Sequence, residues 1–165
     1  MGFYIEMTTP FGQAYLVEQT EHITHLLFEK EELNGMIKKD QELKQKKTAL
    51  LQKAKQQLEE YFRGERTTFT LPMHQEGTDF QKKVWKALQT IPYGESRSYS
   101  DIAREIGQPK AVRAIGQANK KNALPIFIPC HRVIGKNKTL TGYAGNEIDK
   151  KAILLEIEKI PYKGK

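Results

Sequence analysis

Residues 98–118, SYSDIAREIGQPKAVRAIGQA, contain the pattern that decides the fold of the second half of the chain. Ser98 or Ser100 can cap a short helix that Gly107 ends. Pro109 suits the first turn of the helix that follows. Two short helices joined by a tight turn predict a helix-turn-helix, although helical corners in ordinary cores share this pattern.

The second helix of this pair carries small residues where a base-reading helix usually carries Asn, Gln or several Arg. Arg113 is the long cation of a helix that is thin enough to approach a narrow surface closely because of four small residues, Ala111, Ala114, Gly116 and Ala118. The alternative is that the small face packs against another helix while Arg113 extends to solvent.

Charge is distributed unevenly along the 165 residues, whose net charge is +7. Residues 1–80 hold 10 basic and 13 acidic side chains, and residues 81–165 hold 17 basic and 7 acidic ones. Such asymmetry suggests that the second half faces an anion, and nucleic acid is the commonest polyanionic partner. A merely soluble basic surface would explain the same counts.

Several classes of protein are excluded by what the sequence lacks. A single cysteine forms no internal disulfide and no cluster of metal-binding thiolates. No run of about 18 apolar residues predicts a membrane span, and no signal peptide is recognisable, so we expect a cytoplasmic protein. The first half has no cysteine, so His22, His25 and His74 would have to suffice as metal ligands there, and we expect no metal.

The first half predicts a small mixed domain. Apolar runs at 3–5, 14–17 and 23–28 predict an antiparallel meander, and a helix is expected from about Gln41 to Phe62. Residues 64–78 have few apolar anchors and are expected to link two domains, 1–72 and 77–165. In the second domain, further helices are expected from Thr78 to Leu88 and from about Ile148 to Glu158.

The single cysteine, Cys130, lies in the segment PIFIPCHRVI, residues 125–134. A lone intracellular cysteine is usually a small buried hydrophobe. Here His131 supplies an acid/base group and Arg132 a positive charge, and both favour the nucleophilic thiolate. The segment is therefore a candidate nucleophilic site.

This segment, with Asn122 before it, strongly resembles the active-site signature of the O6-alkylguanine-DNA alkyltransferases. The resemblance extends from about Phe80 to Tyr162 and includes 91–94 (IPYG), 99–103 (YSDIA) and 109–116 (PKAVRAIG). It implies an α+β protein. The family has a small ribonuclease H-like N-terminal α/β domain with antiparallel strands and a long helix, and a mainly helical, winged-helix-like C-terminal domain with the helix-turn-helix.

The resemblance also implies an activity, which is repair of DNA by irreversible transfer of an alkyl (methyl) group from O6-alkylguanine to Cys130. O4-alkylthymine is expected as a further substrate. The protein would bind double-stranded DNA through the minor groove, flip the damaged base out, act once as a monomer, and need no cofactor.

Residue roles follow from the resemblance position by position. It implies that Cys130 is the acceptor, that His131 is its base through water, and that Glu158 orients His131, with Glu156 as the fallback. Tyr99 would crowd the 3′ phosphate and donate to the guanine O6, Asn122 would tie the recognition helix to the cysteine segment, and Arg113 would enter the vacated stack. The remaining implied DNA contacts are Lys110, Ala111, Ala114, Gly116 and Arg132, and the implied base pocket is Tyr143, Val133 and Ala144.

One departure from the family pattern follows the pocket tyrosine, where Ala144-Gly145-Asn146-Glu147 replaces the usual small residue and Gly-Gly. This change leaves the size of the accepted alkyl group open. Three rival functions differ in kind: a lesion-binding alkyltransferase-like protein without activity, a helix-turn-helix transcription factor, and a cysteine hydrolase with turnover.

Overall fold

The computed structural model describes residues 1–137 and 147–163, with side chains from residue 150 onward in the second range. The chain divides into two compact units, Met1–Gln75 and Glu76–Lys165.

The first unit is built on a four-stranded sheet. Strands β1 (Gly2–Thr9), β2 (Gly12–Gln19) and β3 (His22–Leu27) form the antiparallel meander that the alternating pattern predicts. A short fourth strand, β4 (Leu43–Gln45), pairs in parallel with β1, which gives the order β3-β2-β1-β4. The α+β class expected from the sequence is confirmed.

The predicted helix from Gln41 to Phe62 is too long at its start. Helix α1 (Lys30–Lys39) precedes β4, and the long helix α2 occupies only Ala49–Phe62. Leu43, which falls inside the predicted helix, is instead buried in β4. The side chain of Thr48 accepts from the backbone N–H of Leu51 at 3.0 Å and so fixes the true start of α2.

The segment after α2 is attached to the first unit. Gln57 on α2 donates to Thr70 and accepts from its backbone N–H. Ile23 in β3 pairs with Met73 through backbone hydrogen bonds on both sides. Because its backbone groups find partners there, most of the segment that was predicted to be a linker belongs to the first unit.

The second unit is mainly helical. Helix α3 (Asp79–Leu88) begins at Thr78 with a reciprocal capping box to Gln81, and α4 (Tyr99–Glu105) begins at Ser98 with another. Helix α5 (Val112–Lys120) follows the turn at Gly107, where φ is +76°. The predicted helix-turn-helix is thus α4, the turn and α5.

Two short strands and the last helix complete the second unit. Strand β5 (Arg97–Ser98) pairs in parallel with β6 (Val133–Ile134), and α6 spans Glu147–Ile157. Trp85 on α3 donates its indole N–H to the carbonyl of Ala118 on α5 at 2.9 Å, which holds α5 from its buried side. Within the described ranges, no helix is long and apolar enough to cross a membrane.

Candidate active site

The loop that leads to the cysteine is held in a tight, strained conformation. Ile126 is buried and has a φ of +74°, a region that β-branched residues rarely adopt. Asn122 holds this loop at both ends, since it donates to the carbonyl of Ile128 at 2.9 Å and accepts from the N–H of Leu124 at 3.0 Å. Asn122 thus fixes the path of the chain into Cys130.

Cys130 begins a single 3-10 turn, Cys130–Arg132, and is only 4% exposed. Its carbonyl accepts from the side-chain amide of Asn119 at 3.2 Å. Asn119 lies on the buried side of α5, so the second helix of the helix-turn-helix is bonded directly to the cysteine. Sequence reasoning missed Asn119, although its position four residues after buried Ile115 could have placed it on that side.

A buried charge network surrounds the next residue of the turn. His131 is fully buried, and its Nε2 lies 2.6 Å from Oε2 of Glu158. The same carboxylate accepts from Nε of Arg132 at 2.8 Å, from Nη2 of Arg132 at 3.2 Å and from the N–H of Gly94 at 3.2 Å. Both carboxylate oxygens are therefore used, which fixes the imidazole ring.

The surroundings keep His131 neutral. Burial lowers the pKa of His131 most, the carboxylate of Glu158 raises it, and the charges of Arg132 and Lys151 lower it again. A neutral ring that donates from Nε2 to a carboxylate carries its lone pair on Nδ1. No hydrogen-bond partner for Nδ1 is found within the described ranges, so this buried nitrogen is available to accept a proton.

Of the two glutamates considered for orienting His131, the structure places Glu158 against it. Glu158 directly follows α6 and is 3% exposed. Glu156 lies at the surface, where it accepts from the hydroxyl of Tyr162. The two residues point to different sides because they are two positions apart at the end of a helix.

Arg132 does not fit the DNA contact expected from the sequence. Its side chain is 8% exposed, and Nη1 donates to the carbonyl of Ile91 at 2.7 Å while Nε and Nη2 bond Glu158. Its guanidinium also lies 5.7 Å from the ring centre of Tyr93. Arg132 neutralises a buried carboxylate, so we correct that prediction.

A second buried cation, Lys151 on α6, was not expected to belong to the site. Its side chain is fully buried and donates to the carbonyl of Val133 at 2.5 Å. Its Nζ also lies 5.9 Å from the ring centre of Tyr99. No sequence signal identifies Lys151, because it stands beside Lys150 in a helix whose other polar residues suggest a solvated face.

Tyr99 is brought near the cysteine segment by strand pairing. It directly follows β5, whose Arg97 and Ser98 pair with Val133 and Ile134 of β6. Val133, expected in the base pocket, is fully buried in β6. The other two expected pocket residues, Tyr143 and Ala144, lie outside the described residues.

The expected DNA-facing residues lie on the outside of the helix-turn-helix. Lys110, Arg113 and Ala114 are exposed, and Ala111 and Gly116 are half-exposed. A Cβ added at Gly116 would meet no atom within 4 Å. Ala114 faces solvent and Ala111 and Gly116 are partly open to it, so the alternative that the small residues pack against another helix does not hold at these positions. It does hold at the fourth small residue, Ala118, which is buried and accepts from Trp85 of α3.

Within the described ranges, no group of three or more His, Cys, Asp or Glu side chains could hold a metal ion. The chemistry that these residues offer is nucleophilic, with a thiol beside a neutral, oriented imidazole and a buried ammonium.

Two family descriptions match the chain, one in each unit. The 6-O-methylguanine DNA methyltransferase ribonuclease-like domain matches residues 3–75, and the DNA binding domain of the same family matches residues 79–160. The constitutive methylated-DNA–protein-cysteine methyltransferase of Bacillus subtilis is 56% identical over 165 residues, which covers all of both chains. The chain belongs to the 6-O-methylguanine DNA methyltransferase family.

Solved structures agree with this assignment of the methyltransferase family. The crystal structure of Mycobacterium tuberculosis O6-methylguanine methyltransferase is 42% identical, covers 96% of this chain and 93% of its own, and gives a TM-score of 0.83. A second structure, of the M. tuberculosis protein OGT in complex with DNA, also gives 0.83 at 42% identity, with 95% and 92% covered. The fold inferred from the resemblance is confirmed.

Proposed function

We propose that this protein repairs DNA by transferring an alkyl group from O6-alkylguanine to Cys130, as a methylated-DNA–protein-cysteine S-methyltransferase. O4-alkylthymine is the further substrate that we expect. The observation that carries the proposal is that Cys130 is bonded to α5 through Asn119 and is followed by a histidine oriented by Glu158. Membership of the methyltransferase family supports the choice of reaction.

The proposed reaction is a single displacement. The sulfur of Cys130 attacks the alkyl carbon, the new S–C bond forms, and the bond between that carbon and O6 breaks with its electron pair going to guanine. The thiol proton passes to Nδ1 of His131 through a water and then balances the guanine anion. A hydrogen bond from the Tyr99 hydroxyl to O6 would stabilise the leaving group.

The burial of Cys130 supports base flipping. A thiol that is 4% exposed cannot reach an atom inside an intact duplex. The damaged base would have to leave the stack, with Arg113 filling the space that it vacates. The exposed Ala111, Ala114 and Gly116 suit close approach to a minor groove, and Lys110 suits a phosphate contact.

The product explains why we expect one turnover for each molecule. An S-alkylcysteine is a thioether without a leaving group that water readily displaces, and the sequence contains no second cysteine. A monomer that acts in the cytoplasm remains our prediction for its assembly and location.

The test is incubation with duplex DNA that carries labelled O6-methylguanine, followed by whole-protein and peptide mass spectrometry. We expect one methyl group for each chain, on Cys130. Cys130→Ser should take up no label and still bind the lesion. Label on another residue, sustained turnover, or lesion binding with no transfer by the wild type would contradict the proposal and favour a rival function.

A further inference from the structure

Helix α5 carries an exposed amide side chain that the proposed reaction leaves without a role. Gln117 is exposed, and its side chain makes no hydrogen bond to any residue in the described ranges. The other amide of the helix, Asn119, is buried and bonded to the carbonyl of Cys130. An exposed amide is notable on this helix because Asn and Gln are side chains that commonly read base edges.

Gln117 lies in the middle of the exposed face of α5. An α-helix turns by about 100° for each residue, so residues three and four positions apart share one face. The residues one turn before and one turn after Gln117 are all exposed, and they are Arg113, Ala114, Lys120 and Lys121. Gln117 therefore projects from the side of the helix that is turned away from the core.

Positive charges stand at both ends of this face. Lys110 precedes it and Lys120 ends it, and no acidic residue occurs between Glu105 and Glu147 in the sequence. Neither lysine forms an ion pair with a described residue. A helix rises 1.5 Å per residue, so Arg113 and Lys120 are about 10 Å apart along it, and cations at this spacing can reach both strands that border a minor groove about 6 Å wide.

The chemistry of an amide suits the space between such cations. Phosphate contacts position a protein on DNA, while contacts to base edges specify the sequence. Every base pair presents acceptors in the minor groove, but guanine alone adds a donor, its 2-amino group. The Nε2 of Gln117 can donate to an acceptor of any pair, whereas its Oε1 can accept only from that amino group. A bonded amide would therefore favour G·C over A·T.

We propose that Gln117 is a specificity-determining residue, which contacts the minor-groove edge of an undamaged base pair beside the lesion and favours G·C there. Gln117 lies one helical turn, about 6 Å, from Arg113, and this distance corresponds to about two base-pair steps of 3.4 Å. The contact is therefore expected within two pairs of the base that Arg113 replaces. The inference rests on the proposed function and adds to it the part of the duplex that is read.

The deciding experiment measures equilibrium binding of the Cys130→Ser protein to duplexes with one O6-methylguanine. At each of the two positions on either side of the lesion, the pair is made G·C, inosine·C or A·T in turn. Inosine lacks only the 2-amino group of guanine. Gln117→Met, in the Cys130→Ser background, keeps the unbranched side chain and removes both polar atoms. Gln89→Met is the matched control, because Gln89 is an exposed glutamine at the end of α3.

At one of these positions, we expect inosine or A·T in place of G·C to weaken binding about threefold to tenfold in the parent and control proteins. In Gln117→Met the same change should have less than about half of that effect, because no oxygen is left to accept from the amino group. Inosine also weakens base pairing, but this affects all three proteins alike and cancels in the comparison. The rate of methyl transfer should show the same pattern when Cys130 is present. Gln117 has no side-chain partner to lose, so the variant should fold, as circular dichroism can check.

An equal effect of inosine in all three proteins, or no effect at any position, would overturn the inference. A loss of binding in Gln117→Met that is the same for every duplex would also overturn it, since the side chain would then contact only the backbone of DNA. Methyl transfer to Cys130 at equal rates from all duplexes would leave the proposed function standing without this inference. If binding depends on the amino group through Gln117 but no methyl group is taken up, the proposed function fails and the base contact stands. Failure to bind any of the duplexes would contradict both.

Discussion

Replacing Glu158 by glutamine should destabilise the second unit strongly. The carboxylate is 3% exposed and accepts from His131, from two nitrogens of Arg132 and from the backbone of Gly94. Glu158→Gln keeps the shape of the side chain but leaves the guanidinium of Arg132 buried without its counter-charge. Removing one partner of a buried ion pair costs about 3–5 kcal/mol, so we expect a loss of that size in the free energy of unfolding.

The assay is urea unfolding followed by fluorescence. Trp85 is the single tryptophan of the chain and lies in the second unit, so its emission reports the unfolding of that unit. Glu156→Gln is the matched control, because it makes the same chemical change at a surface carboxylate on the same stretch of chain. Its contact with Tyr162 is worth about 1 kcal/mol or less.

The same variant should impair transfer at temperatures where it remains folded. An amide nitrogen facing Nε2 of His131 would favour the ring with its proton on Nδ1, which can no longer accept from Cys130. We expect transfer from O6-methylguanine DNA to slow by about 100-fold or more. A loss of stability within 1 kcal/mol of that of Glu156→Gln would refute the buried network as described, and unaltered transfer would refute the role of Glu158 in orienting the base.

Four further outcomes are expected. Gly77→Ala should destabilise the second unit by about 1–3 kcal/mol in the fluorescence assay, since the new Cβ would lie 2.5 Å from the ring of Trp85; an unchanged midpoint would contradict this. Thr48→Ala should cost about 1–2 kcal/mol by circular dichroism, because α2 loses its cap and buried Glu18 loses the hydroxyl that donates to it. Burial lowers the pKa of Lys151 to about 8 in the folded protein, from its ordinary 10.5. Between these two pH values the unfolded chain binds more protons than the folded protein, so the free energy of unfolding should rise with pH across that range. In Lys151→Met the free energy of unfolding should rise less over this pH range, by up to about 3 kcal/mol. The same dependence of unfolding free energy on pH in both proteins would argue against burial of the ammonium. Lesion-binding affinity should fall steeply with added salt if Lys110 and its neighbours contact phosphates, and a flat response would exclude them.

Local signals in the sequence predicted much of the architecture. The meander follows from alternating apolar residues, and the starts of α3 and α4 follow from the side chains of Thr78 and Ser98. Helix α1 was missed because it contains Gly35 and because its apolar side is short, with Leu33 buried and Met36 and Ile37 only partly buried beside it. Strand β4 was missed because its three residues are defined by pairing with β1, some forty positions away.

The sequence by itself determined the reactive chemistry of the site. The protein has one thiol, next to a histidine, and the resemblance of that segment identified the family before any geometry was known. Cys130 and His131 are neighbours in the chain and Asn122 is only eight positions before them, so their closeness does not depend on distant parts of the sequence. The contributions of Cys130, His131 and Asn122 could therefore be predicted from a single stretch of chain.

Only the tertiary structure decided which distant side chains reach that stretch. Glu158 rather than Glu156 meets His131, Arg132 turns inward to that carboxylate, and Lys151 is buried beside Tyr99. In a sequence, charged residues such as these predict an exposed surface, because burying an ion is costly unless it is compensated. That compensation exists only where the 3-10 turn, the start of α4 and the last helix pack together.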